Sequence, residues 1–198
     1  MNRTLRVCLV AVLVAVGAGC TGGKEFTRPT ADSLELGKTT MTQIRDRVGK
    51  PRRELNTVKE GVQTKTLVYA YSEATPFGEK VPARAMSFHF WDGVLVGYDF
   101  LSAFDEDKTN FDDTRVSEMK KGETTEAQVV ALFGPPGGKY IYPMIKERGK
   151  IAFVYQYIRM DRNVWRGGLK QSANKRLQIT FDAAGKVDDI ILSAMERN

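Results

Sequence analysis

The feature that most constrains this chain is a segment it contains twice. Gly37-Lys-Thr-Thr-Met-Thr-Gln-Ile-Arg-Asp-Arg-Val-Gly-Lys-Pro51 returns 85 residues later as Gly122-Glu-Thr-Thr-Glu-Ala-Gln-Val-Val-Ala-Leu-Phe-Gly-Pro-Pro136. The copies align without a gap and share Gly, Thr, Thr, Gln, Gly and Pro at equivalent places. Unrelated segments would share roughly one residue in fifteen, so this is an internal duplication, and it fixes the architecture as two similar units.

Each copy carries the signs of one short helix. Thr40 followed by Gln43, and Thr125 followed by Gln128, are capping boxes, in which hydroxyl and amide satisfy the free N–H groups of a first turn. Met41, Ile44 and Val48 make an apolar stripe in the first copy, as do Val129, Leu132 and Phe133 in the second. Gly49-x-Pro51 and Gly134-Pro-Pro136 stop both helices. Helices this short need a sheet to cover. Thr66–Tyr71, Ala85–Trp91 and Val94–Phe100 read as its strands, with Asp92-Gly93 as a hairpin turn. Ile151–Tyr157, Arg176–Phe181 and Val187–Ser193 repeat them. The expected fold is therefore α+β: two tandem copies of a short helix plus a three-stranded antiparallel sheet. The first unit is set at 31–104, an acidic linker at 105–115 and the second unit at 116–198.

The N-terminus reads as an export signal. Met1–Arg6 is a short positive region, Val7–Val16 an apolar run, and Gly17-Ala-Gly-Cys20 a small-residue exit. About ten apolar residues are too few to span a bilayer. The small residues followed by Cys20 resemble a bacterial lipobox, which implies a signal peptide at 1–19, diacylation of Cys20 and a tether at 20–30. Cysteine arithmetic agrees: Cys8 leaves with the leader, so Cys20 has no disulfide partner. Thr21 follows where inner-membrane retention would have Asp, so likeness to other lipoproteins implies an outer-membrane anchor facing the periplasm. Removing Arg3 and Arg6 lowers Lys+Arg from 30 to 28 against 24 Asp+Glu, a surplus of four. No single basic face for nucleic acid is visible in it.

Gly-x-Thr-Thr, Gln, an apolar stripe, Gly-x-Pro and then strands, closing on Phe181-Asp-Ala-Ala-Gly-Lys-Val187, resemble the SmpA/OmlA/BamE lipoprotein domain, once per half. The tandem is also similar to the beta-lactamase-inhibitor protein, which binds its enzyme with a sheet surface. The first resemblance implies a non-enzymatic envelope lipoprotein acting by protein–protein contact, in outer-membrane β-barrel assembly or envelope integrity. The second implies a tethered periplasmic binding or inhibitor module.

The residues offer little to catalysis. His89 is the one histidine, and its counterpart in the second half is Thr180. No second His or spare Cys completes a zinc site, no nucleophile motif accompanies His89, and no cofactor or small-molecule substrate is implied. Gly134-Pro-Pro-Gly-Gly-Lys139 fails as a phosphate loop: its spacing is one residue short and its prolines lack N–H donors. Asp105–Asp113 fails as a calcium loop, with Val116 where a bidentate Glu belongs. What remains is a binding surface on the sheet faces away from the helices, through Ser87, His89, Gln156, Gln178 and Thr180. The loops 73–83 and 159–175 join it; Arg162, Trp165 and Arg166 are the candidate hot spot there, with a solvated loop as the alternative reading of the same stretch.

Overall fold

The structure is a computed structural model that describes residues 23–26, 28–73, 81–163 and 168–196, with backbone alone at 162–163, 168–172 and 196. Two α-helices, α1 (Met41–Val48) and α2 (Glu126–Phe133), cover a sheet of eight strands. In chain order these are β1 (Arg53–Lys59), β2 (Val62–Ser72), β3 (Ala83–Trp91), β4 (Val94–Ser102), β5 (Gly138–Tyr140), β6 (Ile151–Asn163), β7 (Gly168–Phe181) and β8 (Val187–Glu196). Spatial order equals sequence order, and every neighbouring pair is antiparallel.

The duplication holds down to individual hydrogen bonds. Thr40 and Thr125 cap their helices with the same reciprocal bonds to Gln43 and Gln128. Such a cap contributes about 1 kcal/mol. Gly37 N–H donates to Leu95 O at 2.7 Å, and Gly122 N–H to Val187 O at 2.7 Å. Leu95 and Val187 return the bond to Thr39 and Thr124, both at 2.8 Å. Tyr69 and Tyr155 donate their hydroxyls to the carbonyls of Gly49 and Gly134, at 2.9 and 3.0 Å. The repeated motif is thus a clip that sews each helix start to the return strand of a hairpin and each helix end to a tyrosine.

The expectation of two three-stranded sheets is overturned by two further strands and one fusion. β1 and β5 directly follow the Gly-x-Pro stops and begin at 53 and 138, the same 85-residue offset as the motif. Each copy is therefore a helix plus four strands. β5 then pairs with β4, through Gly97↔Tyr140 and Tyr98↔Lys139, so the two four-stranded halves form one sheet. Local pattern could not show β1, because all seven of its residues are exposed and no alternation marks a buried face. β5 is only three residues long.

Glycine makes the fusion possible. A Cβ on Gly138 would stand 2.2 Å from Tyr98 O and 2.7 Å from Asp99 Cα. Gly137-Gly138 lets two backbones approach, which accounts for the glycine pair after Pro136.

The expected loop 159–175 is also corrected. β6 runs to Asn163 and β7 begins at Gly168, so most of that polar stretch is a hairpin whose ladder continues past the core. Its polarity hid it, since a strand extending beyond the core need not alternate.

Two cores fill the space between helices and sheet. Ile44 meets Leu67, Met86, Phe88, Phe90 and Phe100 in the first, and Val129 meets Phe153, Leu177, Ile179, Phe181 and Val187 in the second. Phe26 is buried in the first core. Arg28 lies 4.8 Å over the Phe100 ring and donates to Pro136 O at 3.0 Å, tying the halves together. Fold contacts thus begin inside the segment 20–30. Within 105–118, Lys175 pairs with Asp113 at 2.7 Å and Arg84 with Asp107 at 3.2 Å.

Candidate functional site: the open face of the sheet

Side chains alternate across a strand, so the register assigns each residue a face. Leu67, Phe88 and Tyr98 point to the helices, as do Phe153, Leu177 and Ile179. Their neighbours point the other way, to a face that neither helix covers. One row across it runs Thr66, His89, Gly97, Tyr140, Ala152, Thr180 and spans both halves. Ser87 and Asp99 lie opposite each other one step along, and Gln156 and Arg176 lie opposite each other two steps along.

At the centre of this face is a hydrogen-bonded network crossing the seam. Asp99 Oδ2 lies 2.8 Å from His89 Nε2 and accepts from Tyr140 OH at 2.6 Å; Oδ1 accepts from Gln156 Nε2 at 2.9 Å. His89 Nδ1 meets Thr66 Oγ1 at 2.9 Å. Arg176 extends toward Tyr140 OH at 3.5 Å and Gln178 Oε1 at 3.4 Å. The Tyr140 ring fits because its opposite residue has no side chain: a Cβ on Gly97 would fall 2.6 Å from Tyr140 Cδ1.

Electrostatics follow from these contacts. Burial alone would raise the Asp99 carboxyl. Hydrogen bonding and charge from His89, the Tyr140 hydroxyl and the Arg176 charge together outweigh it, and the pKa is lowered. Burial, and then the Asp99 charge, push the Tyr140 phenol far up, so it stays a neutral donor. On the helix side, burial likewise raises Tyr155.

Thr66, His89 and Asp99 stand in the order of a hydroxyl–imidazole–carboxylate relay, but the surroundings do not suit acyl transfer. Thr66 is 7% exposed, in mid-strand. The flanking strands pair on both sides, so the backbone N–H groups beside Thr66 and His89 are committed to the ladder. Both ring nitrogens of His89 are occupied. Among the described residues no group of three His, Cys, Asp or Glu is placed to hold a metal ion. The network can keep a polar patch rigid and lock the halves together.

Ser87, His89, Gln156, Gln178 and Thr180 all belong to this face. Asp99 joins His89 to Gln156, while Gln178 connects through Arg176. Thr180 closes the row at 5% exposure. Arg162 is in β6, described by backbone alone, and Trp165, Arg166 and Cys20 lie outside the described residues. Asp99, Tyr140 and Arg176 were missed. Alternation through Val94–Phe100 places Asp99 opposite Phe100, which was the available signal. The meeting of Asp99 with Tyr140 depends on the fusion of the halves and has no local signal.

The rest of the face differs toward its two ends. Beyond Tyr140, the Trp91 and Tyr142 rings meet edge to face, 5.5 Å apart, parallel to the His89–Tyr140 pair at 5.5 Å. Toward the other end Ala70, Ala85, Leu101, Ile158 and Met160 line an open apolar depression of about 270 Å³. Leu55 on edge strand β1, and Ile191 and Met195 on edge strand β8, are exposed apolar residues flanking the face.

No known protein family matches the sequence, and no curated protein matches it. Among solved structures, a candidate beta-lactamase inhibitor protein from Streptococcus mutans is similar, at 10% identity and a TM-score of 0.44, over 82% of this chain and 91% of that one. At that score the likeness carries no argument about what this chain does.

Proposed function

We propose that the chain is a non-enzymatic binding protein of the bacterial envelope. Acylated Cys20 anchors it to the outer membrane, and it engages another protein through the open face of its sheet. The observation that carries the reading is the asymmetry of that sheet. One face is filled by two helices and two cores, whereas the other, which no helix covers, holds a pre-ordered and largely buried polar centre beside the Met144–Ile145 segment, with exposed apolar side chains along its two edges. The buried network holds the exposed edges of that face in place, which suits recognition of a folded partner, since little ordering entropy is lost on contact. The resemblance to the SmpA/OmlA/BamE domain favours a component of the barrel-assembly machinery as that partner.

A photo-crosslinking residue at Ile191, beside Gln178 on the open face, tests this in cells carrying the tagged full chain. A discrete adduct with a barrel-assembly component is expected there, with none from the same residue at Asp46 on the outer side of α1. Equal adducts at both positions, or none at Ile191, would contradict the reading. An adduct with a soluble periplasmic enzyme whose activity is lost would instead favour an inhibitor. Cys20→Ser should abolish palmitate labelling and release the protein from the outer membrane. Retention of both would sink the anchor.

A further inference from the structure

The seam of the open face carries two stacks built alike. In each, a ring from β3 meets a tyrosine of the second half edge to face, and an arginine of the second half lies near the tyrosine ring. The first is His89, Tyr140 and Arg176, with the guanidinium 5.7 Å from the Tyr140 centroid. The second is Trp91, Tyr142 and Arg148, with the guanidinium 3.7 Å from the Tyr142 centroid and 5.5 Å from that of Trp91.

The stacks differ in how their donors are used. Arg176 reaches Tyr140 and Gln178 and feels the charge of Asp99. Arg148 is exposed, and no described residue takes a hydrogen bond or ion pair from it. Its neighbours do not neutralise it. Lys146 and Glu147, both exposed, offset each other, and Lys150 is held by Asp188 at 2.6 Å.

We propose that Trp91, Tyr142 and Arg148 form a subsite that receives a side-chain carboxylate from an acidic segment of a partner protein. This rests on the reading of the open face as a protein-binding surface. A guanidinium lying on an aromatic face keeps its N–H edge in the plane of the fork, matched to the two oxygens of a carboxylate. Stacking holds the side chain in place beforehand, so less rotamer entropy is lost when the ligand arrives. The charge of the face points the same way. Asp99 is already committed to His89, Tyr140 and Gln156, and Asp189 to Lys121. Arg148 has no such partner among the described residues, and its N–H edge is open to solvent. Trp and Arg are also the residues that most often dominate protein interfaces.

The test uses the full chain and a capped peptide alternating glutamate with glycine, with its glutamine counterpart as control. The resonances followed are Trp91 indole N–H and Arg148 Nε–H. A saturable, salt-sensitive shift with the glutamate peptide is expected, about tenfold weaker with glutamine. Arg148→Gln should abolish it, while Arg176→Gln leaves it in place. Equal binding of both peptides, no shift, or an undiminished Trp91 shift in Arg148→Gln would overturn the assignment. Repeating the Ile191 crosslink in Arg148→Glu separates the two ideas. An undiminished adduct removes the subsite and leaves the binding face standing. Loss of the adduct with the fold intact supports the subsite. A glutamate-specific peptide shift without any adduct in the wild type keeps the subsite and removes the protein-binding reading.

Discussion

Gly138→Val is expected to destabilise the protein by about 3 kcal/mol or more, a size reserved for substitutions that overpack or strain a core. The new Cβ would meet Tyr98 O at 2.2 Å and Asp99 Cα at 2.7 Å, and both are backbone atoms that no side-chain rotation can clear. β5 pairs with β4 at only two positions, so displacing it breaks the join between halves and unseats Tyr140 from Asp99. Gly37→Ala is the matched control. Gly37 has φ +78° but nothing within 4 Å of where a Cβ would stand, so only the left-handed backbone is strained. That costs about 1 kcal/mol. Urea unfolding of both variants decides the matter. Equal, small losses would mean that β5 does not lie against β4.

Asp99→Ala should cost about 3–5 kcal/mol at neutral pH, because it leaves buried donors without the charge they face. His89, Tyr140 and Gln156 all lose their acceptor at once. The effect carries a pH signature. The folded pKa of Asp99 is lowered below the ordinary unfolded value of about 3.9. Its stabilisation is therefore fully present above about pH 5 and is lost as pH falls through the folded value. Asp99→Asn, which keeps the shape and loses the charge, should differ most from wild type near neutrality and converge on it in acid. Urea midpoints of wild type and Asp99→Asn across the range from neutral to acid report this directly. A gap that stays constant would show that the Asp99 charge is not what holds the network.

How far the sequence foretold this arrangement depended on the range of each interaction. The capping pairs Thr40–Gln43 and Thr125–Gln128 and the stops at Gly49 and Gly134 act within one helical turn, and both helices occur where they placed them. Alternation in Met86–Phe90 and Leu177–Phe181 reflects burial of one face, which is also local, so His89 and Gln178 were correctly assigned to the other face. β1 was invisible because an exposed edge strand has no buried side to mark it, and β5 because three residues make no period. Fusion of the halves depends on pairing Tyr98 with Lys139, 41 residues away, and only the adjacent glycines at 137 and 138 hinted at it. The polar network inherits that limit. His89 and Asp99 share one hairpin, but Tyr140, Gln156 and Arg176 reach them only once the sheet is continuous.

Continuity of the sheet is thus the claim on which the shared binding face depends, and native-state amide hydrogen exchange tests it most directly. The Ile141 amide donates to Val96 O at 3.0 Å across the seam. If the halves form one sheet, Ile141 should be protected by the same unfolding free energy as Leu67 in the first core and Ile179 in the second. Free exchange at Ile141, with Leu67 and Ile179 protected by two different free energies, would show two sheets side by side and contradict the account.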